Sequence, residues 1–399
     1  MKSTIFEPAR EIPVAGHFDV IVAGGGFAGI SAALSAKRAG AERVLLIERE
    51  FTLGGLATLG LVTIYLPLCD GNGRQVSFGI AEELLRLSIS RGAEEPLPAG
   101  WLPGGTTEQR KEKRFRCRFN AALFAGFAEK LLLDSGVEIL YGTCVCGAAM
   151  QDGRLHALIC ENKNGRSAYV ARGFVDATGD ADVCHFCGEK TELFHQGNVL
   201  ASWYYTCEDA ALTLHPLGFC DIPDSEKPGG KTPESDTRER FSGLEANDLS
   251  RQMVLSRQWA IQEYLKGGDF TNERALTILP TIPQVRMTRR MDNVANMRLS
   301  TDGAHIVDSV GMISNWKRVG PVYEVPFGSL CAALPNLYAA GRCMAAEEDM
   351  WDVTRVIPCC AVTGEAAGVA AVVGRDLEKV QSILRKRKIP LHISELESN

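Results

Sequence analysis

Three arginines, Arg286, Arg289 and Arg290, lie close together in the second half of the 399-residue chain and could hold an anionic ligand. A guanidinium group matches a carboxylate with two parallel hydrogen bonds, so such a cluster is suited to clamping a small organic acid. A solvated basic face, or a set of structural ion pairs, is the alternative interpretation. Arg355, just before the last apolar helix that the sequence predicts, is a further candidate.

Cysteines offer two weaker possibilities. The adjacent pair Cys359-Cys360 could form a strained disulfide or a covalent link to a cofactor, although packing is the interpretation that we favour. The spacing Cys184-x-x-Cys187 resembles a metal site, but there is no second such pair, so we predict that the protein has no metal site.

Other titratable side chains lie in no recognisable arrangement. His195 and His215 are isolated, and we expect neither to act as an acid or base. An acidic run could supply a general base, although such a run is usually solvated; its members are Glu347, Glu348, Asp349 and Asp352.

The elements that would position these side chains begin with an apolar run that ends in Gly24-x-Gly26-x-x-Gly29 and continues into an alanine-rich segment. This pattern predicts a strand, a tight turn and a helix start. Glu48 ends the next predicted strand, nineteen residues after Gly29. Glycines permit the turn and a close approach of phosphates to the helix N-terminus, and the acid accepts hydrogen bonds from ribose. The sequence therefore predicts a dinucleotide-binding β-α-β unit.

Composition excludes several other classes of protein. The chain is 45% hydrophobic and 23% charged, which is typical of a globular protein, and its net charge of −6 argues against nucleic-acid binding. No apolar run reaches membrane-spanning length, and the N-terminus lacks the apolar core of a signal peptide. Thirteen irregularly spaced cysteines suggest reduced thiols, so we expect a cytoplasmic protein without membrane contact.

The fold class that we predict is α/β: a Rossmann-like domain with a parallel sheet, helices and a small antiparallel insert, together with an inserted mixed α+β substrate domain. We assign the nucleotide-binding domain to residues 1–186 and 331–374, the substrate domain to 187–330, and a surface tail to 375–399. Within this frame, Asn120 is predicted to cap a helix, Asp152-Gly153 to turn a hairpin, and residues 362–373 to form the last apolar helix.

Several motifs together resemble the FAD-dependent oxidoreductase family, with its flavoprotein fold like those of glutathione reductase and fumarate reductase. They cover the N-terminal half and the last quarter of the chain, and the middle matches poorly. Besides the first glycine turn and Glu48, the motifs are Gly54-Gly55-Leu56-Ala57-Thr58, Val175-Asp176-Ala177-Thr178-Gly179-Asp180, Asn336-Leu337-Tyr338-Ala339-Ala340-Gly341-Arg342, Arg355-Val356-Ile357-Pro358-Cys359-Cys360 and Thr363-Gly364-Glu365-Ala366-Ala367-Gly368.

The resemblance implies which residues contact FAD. Val145 would touch the adenine through its backbone, Gly341 and Arg342 would meet the ribityl and phosphate chain, and the last helix would direct its dipole at the flavin ring near residues 364–367. The full set of predicted FAD residues is Gly24, Gly26, Phe27, Ala28, Gly29, Glu48, Arg49, Gly54, Gly55, Thr58, Val145, Thr178, Gly179, Gly341, Arg342, Gly364, Ala366 and Ala367.

The activity that the resemblance implies is two-electron hydride transfer between non-covalently bound FAD and a small organic substrate, which the arginines suggest is anionic. Arg290, which matches a family arginine pair, and Arg355 are the predicted catalytic residues. Since Gly71-x-Gly73 lacks a third glycine and a leading strand, we expect an external electron acceptor: oxygen, a quinone or a partner protein. An NAD(P)-dependent enzyme on the same fold and a non-catalytic flavin-binding or assembly protein are the alternatives. The sequence leaves the oligomeric state open.

Overall fold

A computed structural model of the chain describes residues 4–218 and 239–396. In these residues the strands are β1 (Val14–Ala23), β2 (Val44–Ile47), β3 (Ile64–Tyr65), β4 (Cys117–Arg118), β5 (Val137–Leu140), β6 (Cys144–Gln151), β7 (Arg154–Asn162), β8 (Gly165–Asp176), β9 (Thr191–Leu193), β10 (Ser202–Glu208), β11 (Ala211–Leu217), β12 (Arg274–Ile278), β13 (Arg289–Met291), β14 (Ser309–Ser314), β15 (Val322–Pro326) and β16 (Leu337–Ala339). The α-helices are α1 (Phe27–Arg38), α2 (Ile80–Ser88), α3 (Thr107–Glu112), α4 (Ala121–Asp134), α5 (Asp182–Phe186), α6 (Ala246–Leu265), α7 (Glu348–Thr354), α8 (Ile357–Val373) and α9 (Leu377–Lys386).

The largest sheet joins seven strands in the order β5-β2-β1-β8-β7-β6, and β16 also pairs with β8. β5, β2, β1, β8 and β16 run parallel, whereas β6 and β7 form an antiparallel hairpin beside β8. β8 accommodates both neighbours on one side because β7 pairs with residues 165–170 and β16 with residues 174–176. The predicted α/β class, with its small antiparallel insert, is confirmed.

Helix α8 packs directly on the backbone of α1 and β8, and small residues make this possible. A Cβ at Gly364 would lie 2.2 Å from the carbonyl oxygen of Ala28, and one at Gly368 would lie 2.2 Å from that of Ala32. On β8, a Cβ at Gly173 would lie 2.1 Å from the carbonyl oxygen of Ala371. The two helices are therefore fixed against each other and against the sheet.

Two local predictions are confirmed in detail. Asn120 caps α4, because its side chain accepts a hydrogen bond from the Leu123 N–H at 3.1 Å. The β6–β7 hairpin turns at Asp152 and Gly153, whose φ values of 49° and 70° are those of a two-residue hairpin turn.

The middle of the chain contains a separate antiparallel sheet in the order β11-β10-β12. The long helix α6 packs on it and buries Trp259, Ala260 and Tyr264. From about Met297 onward, however, the chain already packs in the same core as α1 and α8, with Val310 and Val325 on β14 and β15 buried there. Residues from about 297 to 330, which the sequence assigned to the substrate domain, therefore contribute to the main core.

The segment after α8 corrects the expectation of a surface tail at 375–399. Val380 and Leu384 on α9, and Leu391 beyond it, are at most 1% exposed and belong to the main core. Val380 and Leu384 lie on one face of α9. The charged composition of the segment predicted an exposed tail because it does not take this apolar face into account. None of the described helices is long and apolar enough to span a membrane by itself, but the pair α7 and α8, bent by 88°, passes that test on length and composition together.

Candidate functional site

The carboxyl ends of the parallel strands meet at one edge of the large sheet, where Ala23 is in register with Ile47 on β2 and Asp176 on β8. A cavity of about 810 Å³ opens at this edge. Its walls come from the turns that follow β1, β2 and β8, from α6, and from the start of α8. Open α/β sheets bind ligands in this position, since the turns there are free to shape a crevice.

The turn after β1 leaves bare backbone facing the cavity. Gly24 has φ 101°, and a Cβ there would lie 2.3 Å from the Ala177 carbonyl oxygen. Gly29 lets α1 approach the strand, since its Cβ would lie 1.7 Å from the Gly24 carbonyl oxygen. A Cβ at Gly26, in contrast, would meet nothing within 4 Å. Gly26 also precedes α1 with no side-chain cap, so the first N–H groups of the helix are available to an anion.

Glu48 is held at the end of β2 by backbone N–H groups. It is 7% exposed; one carboxylate oxygen accepts from the Gly25 N–H at 2.6 Å and the other from the Glu50 N–H at 2.9 Å. Burial raises the pKa of Glu48, while these two hydrogen bonds oppose the rise. The side chain is therefore fixed in orientation at the cavity wall, as a ribose-binding acid requires.

Most of the predicted FAD residues line this one cavity although they come from distant parts of the chain. The lining ones are Gly24, Gly26, Phe27, Ala28, Glu48, Arg49, Gly54, Gly55, Val145, Thr178, Gly179 and Arg342. The predicted residues outside the lining are Gly29, Thr58, Gly341, Gly364, Ala366 and Ala367. For Thr58 the reason is local: its hydroxyl donates to the Leu53 carbonyl at 2.6 Å and closes the turn.

The start of the last apolar helix differs from the prediction and changes which residues face the cavity. α8 begins at Ile357, with Pro358 in its first turn, rather than at residue 362. Its cavity-facing residues are therefore Val356, Ile357 and Cys360. Gly364 packs on α1, and Ala366 and Ala367 are fully buried, so we reassign these three as packing residues.

Gly341 and Arg342 join the two halves of the site. The Gly341 N–H donates to the Thr363 hydroxyl at 2.9 Å, which ties β16 to α8. The Arg342 guanidinium pairs with Asp180 at 2.9 Å, donates to the carbonyl of Val285 at 2.8 Å and also donates to the carbonyl of Gly179. Arg342 therefore fastens the middle segment to the nucleotide-binding turns.

The three arginines of the predicted cluster lie in different surroundings in the structure. Arg290 lies outside the cavity lining, packed 5.3 Å above the ring of Trp351 and 3.7 Å from Asp292, and burial lowers its pKa. Arg289 is paired with Asp182 at 2.6 Å. Arg286, which is 2% exposed, lines the cavity together with Arg355. Of the cluster, Arg286 rather than the predicted Arg290 therefore lies at the cavity wall.

Arg355, at the cavity wall, has unused hydrogen-bonding capacity. Its Nε and Nη2 atoms are buried and have no hydrogen-bond partner in residues 4–218 and 239–396, and its guanidinium lies 6.0 Å from the Trp316 ring centre. A buried donor without a partner is costly, so such a group is suited to an incoming acceptor.

Of the adjacent cysteines, Cys360 lines the cavity and Cys359 is fully buried, and both are free thiols. The Cys360 thiol donates to the Arg355 carbonyl at 3.2 Å. Burial raises the pKa of Cys360 to about 11, so the group is a neutral thiol near pH 7.

The remaining candidates lie elsewhere. His195 is exposed beside Glu192, and the His215 ring nitrogen bonds to the Thr206 hydroxyl at 2.8 Å on the middle sheet. In the acidic run, Glu347 pairs with Arg298 at 2.8 Å and Asp352 with Lys317 at 2.7 Å. None of the run's four acids lines the cavity.

Sequence reasoning missed the contribution of α6 and of an aliphatic wall. α6 brings Leu249, Met253 and Arg257 to the cavity, and the opposite wall is apolar; its side chains are Leu56, Leu59, Val62, Ile64, Leu66, Ile282, Pro283 and Val285. The four-residue spacing of the α6 residues, 249, 253 and 257, is the signal that could have indicated a shared face.

The acidic side chains of the cavity lie together in one part of its lining. The acids in its lining, within the part of the chain that the structure describes, are Glu48, Glu50, Asp180 and Asp182, next to the nucleotide-binding turns. The lining also includes Arg355, the uncapped N-terminus of α8 and apolar side chains. Together with the open surface at Gly26, this arrangement fits an extended dinucleotide with ribose at one end and an electron-accepting ring at the other. The fold and the site therefore define a dinucleotide-binding flavoprotein.

The comparison with known families agrees. The family described as FAD dependent oxidoreductase matches residues 19–202 and 245–388, which is most of the chain. The chain belongs to this family, its cofactor is FAD, and it is an oxidoreductase.

Individual relatives are distant. A geranylgeranyl bacteriochlorophyll reductase-like protein from Thermoplasma acidophilum is similar with a TM-score of 0.50 and 12% identity, over 94% of this chain and 82% of that one. The p-nitrophenol 4-monooxygenase of Pseudomonas putida has a TM-score of 0.50 and 12% identity, over 93% and 84%. Thioredoxin reductase of Ureaplasma parvum is 33% identical over 73 residues, which are 18% of this chain and 23% of that protein. The similarities to the two solved structures show a shared fold.

Proposed function

We propose that this oxidoreductase carries out a two-electron redox step on a small, largely apolar organic substrate that bears an anionic group. The observation that carries the proposal is Arg355, whose buried Nε and Nη2 atoms have no hydrogen-bond partner among the described residues, in a cavity that many aliphatic side chains also line. Non-covalently bound FAD would supply the hydride acceptor or donor at its ring.

The substrate anion would bind to Arg355, and Arg286 also lines the cavity. A buried guanidinium that lacks an acceptor gains charge-assisted hydrogen bonds when a carboxylate enters. Because Asp180 and Asp182 are already paired with Arg342 and Arg289, these cavity acids are not the counter-ions of Arg355.

The apolar body of the substrate would lie between α6 and the facing aliphatic wall. Leu249 and Met253 on α6 and Leu56, Val62 and Ile64 opposite bring no charge into this part of the cavity. Burying an apolar substrate there excludes water, which strengthens the interaction of the anion with Arg355.

The start of α8 would stabilise negative charge at the redox end of the site. The helix begins at Ile357 with no side-chain cap, and Val356, Ile357 and Cys360 line the cavity, so the positive end of the helix dipole lies at the cavity wall. A reduced flavin carries negative charge, which such a helix N-terminus favours.

The electron acceptor is proposed to be external: oxygen, a quinone or a partner protein. The segment with Gly71 and Gly73 is a turn, in which Asp70 accepts from the Asn72 and Arg74 N–H groups, and it leads to no nucleotide-binding helix. We place the reaction in a reducing compartment, the cytoplasm, in keeping with the free thiols of the described cysteines.

Anaerobic reduction of the bound flavin tests this function. The purified protein is mixed with carboxylic acids, hydroxy acids and amino acids, each next to its neutral amide or ester, while the flavin absorbance is followed. We expect bleaching by an apolar acid and at least about tenfold weaker saturation by its neutral analogue, the value of one charge-assisted hydrogen bond. Equal saturation by both forms would contradict the anion site, and loss of discrimination in Arg355→Met would support it.

A further inference from the structure

A second group of chemically active side chains lies outside the cavity, where β15 meets the C-terminal segment. Glu324 on β15 is 1% exposed, and its Oε2 atom is 2.8 Å from Nδ1 of His392 and 3.8 Å from Nδ1 of His305. The two imidazole ring centres are 4.5 Å apart. One ligand atom from each of the three residues falls within 4.8 Å of the others.

Backbone hydrogen bonds hold the Glu324 carboxylate in place from both sides. Oε2 accepts from the Ile306 N–H at 2.8 Å, and Oε1 accepts from the Ile393 N–H at 2.8 Å. Each of these isoleucines directly follows one of the two histidines. On each side of the carboxylate, a His-Ile dipeptide therefore donates the isoleucine N–H to it and places the histidine ring next to it.

We propose that His305, Glu324 and His392 bind a divalent metal ion of the Zn²⁺ class. Two imidazoles and a carboxylate are typical ligands for such an ion, and bonds of about 2.0–2.1 Å in tetrahedral geometry separate ligand atoms by about 3.3 Å. The Nδ1–Oε2 distances of 2.8 and 3.8 Å lie on either side of that value. The fixed carboxylate supplies the outer support that metal ligands need.

The site has an open side. The His305 side chain is 63% exposed, so an ion can enter from solvent and keep a water as its fourth ligand. The ion connects the segment before β14, which carries His305, and strand β15, which carries Glu324, to His392 after α9. It therefore fastens residues 389–396 to the main core. None of the three ligands lines the FAD cavity, so the metal acts on the stability of this region rather than on the redox step.

The test is equilibrium binding of Zn²⁺ alone to the tag-free, FAD-loaded protein after chelator treatment, by calorimetry and by thermal unfolding. We expect one equivalent per chain, a rise of several degrees in the unfolding midpoint, and an unchanged flavin spectrum. His305→Asn changes an exposed side chain and leaves the fold intact, and we expect it to weaken binding at least about tenfold and to abolish the midpoint shift. Co²⁺ in place of Zn²⁺ is expected to give the visible absorption of a four-coordinate ion.

His195→Asn is the matched control, since His195 is an exposed histidine 3.9 Å from Glu192 with no second imidazole. It is expected to leave Zn²⁺ binding unchanged. The absence of saturable binding in the wild-type protein, or equal binding by His305→Asn, would overturn the proposal and leave a hydrogen-bonded histidine–glutamate pair.

Discussion

Replacing Gly26 with alanine separates the cofactor role of the first turn from its role in folding. A Cβ at Gly26 meets no protein atom within 4 Å, and its φ of −71° and ψ of −177° suit alanine. The folded protein therefore has room for the methyl group. Once FAD is bound, however, there is no room for the methyl group, because the pyrophosphate must approach this backbone closely to reach the N–H groups of α1.

The magnitude follows from the contacts that the methyl group would disturb. Hydrogen bonds to a charged group contribute about 1.5–3 kcal/mol each, so loss of about 3 kcal/mol corresponds to FAD binding that is on the order of 100-fold weaker. Global stability without FAD is expected to change by less than about 1 kcal/mol, the size of an N-cap substitution.

The assay is titration of flavin-free protein with FAD by fluorescence quenching, alongside urea unfolding of the same samples. Gly126→Ala is the matched control: a Cβ there also meets nothing within 4 Å, but the position is on α4, away from the cavity. It is expected to bind FAD normally. FAD affinity within threefold, roughly 0.7 kcal/mol, of the wild type in Gly26→Ala, with the fold intact, would refute the placement of the pyrophosphate.

Four further outcomes follow. Arg355→Met is expected to weaken binding of the anionic substrate about 10- to 100-fold in rapid-reaction titrations, and Arg290→Met, outside the cavity, to leave it unchanged; equal effects would contradict the proposed substrate role of Arg355. Cys360→Ser is expected to keep full turnover and to release its flavin on acid denaturation, whereas lost turnover would indicate a redox role for the thiol. Gly364→Ala, whose Cβ would lie 2.2 Å from a carbonyl oxygen of α1, is expected to lower the unfolding free energy by about 2 kcal/mol or more in urea; an unaltered midpoint would contradict the packing role. Burial and the neighbouring Asp180 raise the pKa of Asp182 to about 6. In flavin-free protein the folded state therefore holds this proton more tightly than the unfolded chain, and the contribution of Asp182 to stability falls as pH rises from about 4 to about 6. The unfolding free energy of Asp182→Asn relative to wild type is expected to increase by up to about 3 kcal/mol over that range, and a difference that does not vary with pH would contradict this.

The nucleotide-binding turn could be predicted from the sequence because its geometry is local. The turn at Gly24, the bare surface at Gly26 and the close packing at Gly29 each depend on neighbours a few residues away or on an adjacent strand. Glu48 follows from the same unit, since β2 runs parallel to β1 and ends at the same edge. The order of strand, turn and helix in the sequence was therefore enough to predict the nucleotide-binding turn.

The start of α8 could not be predicted in the same way. Val356, Ile357 and Pro358 are poor helix formers, so the segment looked like a loop that leads into an alanine-rich helix. Proline is nevertheless acceptable in the first turn of a helix, where its missing N–H has no partner to lose. Packing on α1 through Gly364 then decides which residues face the cavity.

The arginines show a different limit. Arg286 precedes β13 in a stretch that belongs to no strand, whereas Arg290 is inside β13, so strand alternation does not relate the two side chains. Their positions depend on Trp203 and Trp351, distant in sequence, over which the guanidinium groups lie. The proposed metal ligands, at positions 305, 324 and 392, likewise share no spacing pattern, and tertiary structure alone brings them together.

The crystal structure of the FAD complex would test the central claim most directly. It is predicted to show the FAD pyrophosphate against the backbone of Gly24 to Gly29, the ribose beside Glu48, and the flavin ring at the N-terminus of α8 near Arg355, with no bond to Cys360. A structure with the pyrophosphate elsewhere, or with the ring away from Ile357, would contradict it.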